Sequence, residues 1–87
     1  MKTCRLQQLT KLDSFYQQLS VAFNFPVDFE RDMDALWETL IVVEGPLELI
    51  WERPGLSRDA LGEDYWMLLE ILADAVAERD DFSFTLR

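Results

Sequence analysis

Histidine is absent from this chain of 87 residues, and cysteine occurs only once, at Cys4. Without histidine, neither a Ser-His-Asp nor a Cys-His catalytic arrangement can form, and the Cys/His spacing of a zinc site is missing as well. A single cysteine also excludes an internal disulfide framework, and a small domain that needs no disulfide is typical of the cytosol. We therefore predict a cytoplasmic protein in which Cys4 is a small buried hydrophobic residue and not a nucleophile.

Glycine is also scarce, and the three glycines, Gly45, Gly55 and Gly62, are scattered along the chain. They do not form the glycine-rich loop that cradles a phosphate, and the acidic residues lack the spacing of a calcium-binding loop. A carboxylate site for Mg²⁺ or Ca²⁺, or two carboxylates acting as general acid and base, stays open in principle. Because the acids lie mostly on predicted helix faces, we expect no cofactor, no metal site and no enzymatic activity.

Basic residues and long apolar runs are few. The chain has 8 Lys and Arg against 17 Asp and Glu, which gives a formal net charge of −9. This balance argues against nucleic acid and anionic membranes as partners, since both attract Lys/Arg patches, and it favours a basic protein partner. No stretch approaches the roughly 20 apolar residues of a transmembrane helix. The start, MKTCRLQQLT, also lacks the apolar region of a signal peptide.

Hydrophobic residues are abundant, at 49%, and 13% of the chain is aromatic. This composition supports a folded core, and the length fits one small domain over residues 1–87. The periodicity predicts the order strand, helix, helix, strand, short helix, helix, strand. Since strands separated by helical crossovers form parallel sheets, we predict a two-layer α/β fold. It consists of a three-stranded parallel sheet with three to four helices packed mostly on one side.

Several local predictions follow the same patterns. TKLD offers a capping box for the first helix, with Thr10 as the N-cap and Asp13 in place of the usual glutamate. The apolar arcs place Trp37 of the second helix and Trp51 of the second strand in the core. Trp66 is one residue off the apolar stripe of the last helix. We favour its partial burial against the preceding loop, and the alternative is an exposed anchor for an interface.

Two predicted helices carry acidic residues on the side away from their apolar arcs. Asp34 and Glu38 are four residues apart in the second helix, so they share one face and repel each other. In the last helix, Asp74 lies on a ridge with Glu70 and Glu78. By spacing alone these are two solvated helix faces, and Asp34 also interacts favourably with the helix dipole.

The segment LSVAFNFPVDFERDMDALWETL resembles the central part of the barstar family of ribonuclease inhibitors. The shared pattern is a helix that ends in Phe-Pro or Leu-Pro, a short loop, and an acidic helix of the form [LM]DALW[DE]xL. PLELIW resembles the strand that follows in the family, and ADAVAERDDFSFTL resembles its final helix and strand. The resemblance covers nearly the whole chain and implies a three-stranded parallel sheet with helices packed on it.

The resemblance also implies a function. In the barstar family, the second helix and the loop before it plug the active site of a ribonuclease, where carboxylates take the place of RNA phosphates. Asp34 matches one of these carboxylates, and Glu38 matches the dominant one, with glutamate where the family has aspartate. Asp74 matches a third acidic position, on the last helix.

The loop and the end of the second helix depart from the family pattern. Asp28 matches the family's aromatic residue, with Phe29 beside it, and Glu30 matches a glycine, which removes backbone freedom. A tryptophan after the second helix is missing, and Val42 lies nearby. We expect these changes to alter the loop contacts with a ribonuclease. The expected partner-binding residues are Asp34, Glu38, Asp74, Asp28, Phe29 and Glu30.

We therefore expect an intracellular inhibitor of the antitoxin or immunity type, monomeric when free, that blocks the basic active site of a barnase-like ribonuclease. The alternative is an orphan barstar-like module that binds another basic protein through the same surface. The third class, an enzyme, is disfavoured by the missing histidine and cofactor motifs.

Overall fold

The computed structural model describes all of residues 1–87. The predicted order of strands and helices is confirmed. None of the four helices combines the length and the apolar character that crossing a membrane requires. The elements are β1 (Lys2–Leu6), α1 (Leu12–Ala22), α2 (Met33–Val42), β2 (Leu47–Trp51), α3 (Pro54–Leu61), α4 (Glu63–Glu78) and β3 (Phe82–Leu86).

The three strands form one parallel sheet in the order β1-β2-β3. Cys4 of β1, Leu49 of β2 and Phe84 of β3 lie side by side in the register. β2 is the central strand, and it is almost entirely buried because it has a neighbour on each side and the helices above it. The predicted parallel arrangement is confirmed, as expected for strands that are joined through helices.

The helices pack on one face of this sheet. Alternate strand residues, such as Leu6, Leu49 and Phe82, join the inward sides of the helices in a core of 18 buried residues. On the opposite face, Thr3 and Thr85 are exposed. The two-layer α/β fold is therefore confirmed.

Cys4 belongs to the core of the sheet. Its burial raises the pKa of the thiol from 9.0 to about 12, so the thiol stays protonated at neutral pH. A thiol in this state is a poor nucleophile, which agrees with the interpretation of Cys4 as a hydrophobic residue.

The start of α1 corrects one prediction. The N-cap residue is Lys11, and no side chain caps the helix, so the capping box of Thr10 and Asp13 is wrong. Asp13 instead accepts a hydrogen bond from Arg31 Nη1 at 2.6 Å. The helix begins one residue later than predicted, so Asp13 is its second residue and not the third residue that a capping box requires. The carboxylate therefore joins α1 to the loop before α2.

Two of the tryptophans lie in contrasting environments. Trp51 is fully buried, as predicted, and its indole N–H donates to Ser57 Oγ at 2.8 Å. Ser57 in turn donates to the carbonyl of Leu9 at 2.7 Å. Trp66 is 59% exposed, with its ring edge-on to Tyr65, so most of this side chain lacks the burial that we favoured from the sequence.

Arg79 follows α4 and holds the C-terminal end of α2. Its Nη1 donates to the carbonyls of Leu40 at 2.6 Å and Val43 at 2.8 Å, where carbonyls have no partner within the helix. Its Nε donates to Asp81 Oδ1 at 2.6 Å, and this bond holds the pKa of Asp81 below its usual value. A Cβ at Gly45 would collide with the ends of both side chains, so a larger residue there would displace the ion pair of Arg79 and Asp81.

Replacement of Arg79 by alanine should lower the free energy of unfolding by at least about 1.5–3 kcal/mol, the usual contribution of one hydrogen bond to a charged group. The reason is that two carbonyls lose their donor and a side chain that is only 12% exposed is removed. Denaturant unfolding measures the loss. The control is Arg58→Ala, because Arg58 is exposed and pairs only with its neighbour Asp59. Equal midpoints for the two variants would contradict the role of Arg79.

Candidate partner-binding groove

α2 presents two carboxylates on its outer side. The helix is capped by Asp32, whose carboxylate accepts the N–H of Ala35 at 2.7 Å, a cap that the sequence analysis missed. Leu36 is fully buried in the core. Asp34 and Glu38 are exposed as a consequence, since they lie on the other side of the helix axis.

α4 lies beside α2 and completes a groove between the two helices. Arg79 joins their C-terminal ends, and Ile71 and Asp74, three residues apart on α4, share the side that borders α2. The structure therefore brings together the three acidic residues that the sequence singled out. The groove has a volume of about 380 Å³ and is lined by Met33, Asp34, Trp37, Glu38, Ile71 and Asp74.

The carboxylates of the groove have no partners within the protein. Asp34, Glu38 and Asp74 take part in no side-chain hydrogen bond and no ion pair, whereas Asp13 and Asp81 are each paired with an arginine. No three acidic side chains come close enough to hold a metal ion. The groove therefore carries uncompensated negative charge that is spread along its walls.

Trp37 lines this groove and is half-buried, so the prediction that it belongs to the core is wrong. The fully buried residues of α2 are Leu36 and Leu40, and Trp37 lies at the edge of their arc. The sequence does hint at this placement, because Trp37 directly precedes Glu38 and therefore lies on the border between the apolar and acidic sides of the helix. Met33 and Ile71 are also partly buried and line the groove. The sequence analysis did not identify them as groove residues, because they too lie on the border of an apolar arc.

The loop before α2 contributes nothing to the lining of the groove. Phe29 packs inward, with its ring centroid 5.0 Å from that of Phe25 and 6.1 Å from that of Tyr16. Asp28 and Glu30 are exposed on the same loop. Glu30 has no positive φ, so its backbone does not need the freedom of glycine.

The acidic ridge of α4 divides between groove and solvent. Asp74 lines the groove, whereas Glu70 and Glu78 are exposed outside it. Two packed helices cross at an angle and stay close over only a short stretch, which explains why residues one turn away on the same ridge are excluded.

The molecule is thus a two-layer α/β protein with an acidic groove between its second and fourth helices. The family model described as Barstar (barnase inhibitor) matches residues 1–87, the whole chain, and the chain belongs to this family. The resemblance found in the sequence is therefore confirmed. A comparison with curated proteins gave no match.

Proposed function

We propose that this protein is a ribonuclease inhibitor that docks the surface around its acidic groove on the basic active site of a barnase-like ribonuclease. The observation that carries the proposal is the set of three unpaired carboxylates of Asp34, Glu38 and Asp74 in one groove. Membership of a family described by barnase inhibition supports it. Barstar-family inhibition works through carboxylates that take the place of RNA phosphates, and these residues match those positions.

The groove suits this role electrostatically. In the free protein Asp34 and Glu38 repel each other across one turn of α2, and a docked cationic site relieves this repulsion. The apolar walls of Trp37, Met33 and Ile71 exclude water once the partner is bound. Charge pairs become stronger where water is excluded, so the mixed lining favours tight pairing with a cationic site.

The remaining features of the proposal are expectations from sequence and family. Residues 1–87 act as one barstar-like domain, monomeric when free, in the cytoplasm of the cell that makes the ribonuclease. The protein itself catalyses no reaction and binds neither nucleic acid nor membrane, in keeping with its net charge of −9. Its role is that of an antitoxin or immunity protein, which protects the producing cell.

One observation favours the alternative of an orphan module that binds a different basic protein. Phe29 is partly buried and packs against Phe25, a residue of the core, whereas Asp28 and Glu30 are exposed, so the exposed part of the loop is mainly acidic. The contacts of this loop with a partner therefore differ from the family pattern. Asp28, Glu30 and Phe29 stay in the proposed interface, with Phe29 as the residue that anchors the loop.

The test is a pull-down from lysate of the source cells with the wild-type protein and with the Asp34→Ala/Glu38→Ala double variant. We expect the wild type to retain a ribonuclease and to inhibit it in a titration, and the double variant to do neither. Retention of a basic protein without ribonuclease activity would support the orphan module instead. Equal retention by both proteins would exclude the groove as the binding site.

The association rate with the ribonuclease should depend steeply on salt. Complementary charge accelerates encounter at low ionic strength, and the Debye length shrinks from about 30 Å at 0.01 M to about 8 Å at 0.15 M salt. Stopped-flow mixing over this range should show association slowing strongly and dissociation changing less. A rate of association that does not change with salt would rule out steering by the groove.

A further inference from the structure

The cations of the protein are not distributed evenly. Of the eight Lys and Arg side chains, four form ion pairs, and Lys2 donates to the carbonyl of Phe23. The three without a side-chain partner are Lys11, Arg53 and Arg87. Each of them follows the carboxyl end of a different strand in the chain. Because the strands are parallel, their carboxyl ends share one edge of the sheet, and the unpaired positive charge lies at that edge.

A cleft of about 440 Å³ opens at the carboxyl edge, at the ends of β1 and β2. It is lined by four polar residues, Gln7, Gln8, Glu52 and Arg53, and by no hydrophobic side chain. Open α/β sheets usually bind their ligands outside the carboxyl ends of the strands. A cleft without an apolar wall offers little to a hydrophobic or aromatic ligand, so it suits a small and highly polar one.

The charges within the cleft favour an anion. Glu52 Oε2 accepts hydrogen bonds from Gln7 Nε2 at 2.9 Å and Arg5 Nη1 at 3.1 Å. These bonds lower the pKa of Glu52, so the carboxylate stays ionised, and its negative charge is offset by the ion pair with Arg5. The guanidinium of Arg53, in contrast, makes no hydrogen bond and no ion pair. The side-chain amide of Gln8 also has no partner within the protein.

The backbone holds both of these free side chains beside the cleft. Gln8 has a φ of 52° and Arg53 a φ of 51°, so two residues with side chains adopt the left-handed conformation that favours glycine. Such strained residues concentrate at binding sites, where the surrounding structure holds them in place. Their position beside an entirely polar cleft adds to the argument from charge.

We propose that this cleft is a binding site for a small phosphate ester, separate from the acidic groove. The guanidinium of Arg53 binds the phosphate oxygens through its planar pair of N–H donors. The amides of Gln8 and Gln7 bind the hydroxyl groups of the ester. Lys11 and Arg87 favour a doubly charged phosphate over a singly charged carboxylate, because they add positive charge at the same edge.

The test is an NMR titration of the full chain at constant ionic strength, monitored by the arginine Nε–Hε and glutamine amide resonances. The three probes are glycerol 3-phosphate, inorganic phosphate and glycerate. We expect glycerol 3-phosphate to give saturable shifts at Arg53 and Gln8, with weaker binding of inorganic phosphate and weaker still of glycerate. Equal affinity for the two phosphates would overturn the role of the glutamines, and a preference for glycerate would overturn phosphate as the ligand.

Arg53→Asn is the decisive variant, since asparagine tolerates the left-handed conformation and removes the charge. It should weaken binding of glycerol 3-phosphate by about tenfold, the effect of losing one charge-assisted contact. Arg58→Gln, which removes an exposed positive charge paired only with Asp59, should leave binding unchanged. Saturable shifts that persist in Arg53→Asn, or their absence from the wild type, would refute the site.

Discussion

Glu38→Ala should cause a larger loss of ribonuclease inhibition than any other single substitution in the groove. Truncation of one partner in a buried charge pair costs about 2–5 kcal/mol or more of binding free energy. Measurements on a complex of the barstar family are among those that define this range. The physical reason is that the cationic groups of the ribonuclease stay desolvated without a partner. Titration of the folded variant against the ribonuclease measures the loss.

The other carboxylates should follow in a fixed order. Asp34→Ala should weaken inhibition less than Glu38→Ala, and Asp74→Ala least, because we expect Asp34 and Asp74 to lie nearer the edge of the interface and to retain more water in the complex than Glu38, which matches the dominant carboxylate of the family. Glu38→Asp should change the preference among ribonucleases without abolishing binding. The shorter side chain withdraws the carboxylate by one methylene and then suits a shallower cationic site.

Glu70→Ala is the matched control for this series. Glu70 is exposed on α4 but lies outside the groove. Glu70→Ala therefore changes the net charge by the same amount as Glu38→Ala, but it should change inhibition only slightly. All variants should unfold at similar denaturant concentrations, since none of the altered acids forms a bond within the protein. If Glu38→Ala inhibits as well as the wild type, the groove is only a solvated surface.

Trp51→Ala should lower the free energy of unfolding by about 3–5 kcal/mol, the usual cost of removing a large aromatic side chain from a core. Trp51 is fully buried, with its ring centroid 5.4 Å from that of Phe15 and 5.3 Å from that of Tyr65. Its loss also deprives Ser57 of the indole donor. Trp51→Phe should cost less, because it keeps an aromatic ring in the core. Urea unfolding of both variants tests this order.

Trp37→Ala should affect inhibition more than stability, in contrast to Trp51→Ala. Because Trp37 is half-buried and lines the groove, its removal exposes less of the core and should destabilise the fold less than Trp51→Ala does. The same variant should weaken inhibition, since an apolar wall that excludes water from the carboxylates is lost. Equal destabilisation by Trp37→Ala and Trp51→Ala would place Trp37 in the core after all.

Local prediction succeeded where one periodic pattern acts alone and failed where two parts of the chain compete. The spacing of apolar residues identified the helices and strands because each buries a single face. The capping box at Thr10 failed because α1 begins one residue later than predicted, with Lys11 as its N-cap, which places Asp13 at the second helical position and not the third. The carboxylate of Asp13 pairs instead with Arg31, far along the chain. The N-cap at Asp32 was not predicted, because it depends on the extended backbone of Asp32, which lets the carboxylate accept the N–H of Ala35 three residues later.

The sequence by itself determined the element order, the parallel sheet, the acidic residues and the family. These properties follow from the periodicity of single segments, the crossover rule for parallel strands, the composition and a motif, and none of them depends on which distant residues are in contact. Tertiary structure decided the strand order, the exposure of Trp37 and the groove itself. A groove requires two helices that pack side by side, and here buried residues of α2 and α4 share one core while Arg79 joins the C-terminal end of α4 to the carbonyls of α2. No spacing within one helix encodes such a contact, since it depends on where a second element packs.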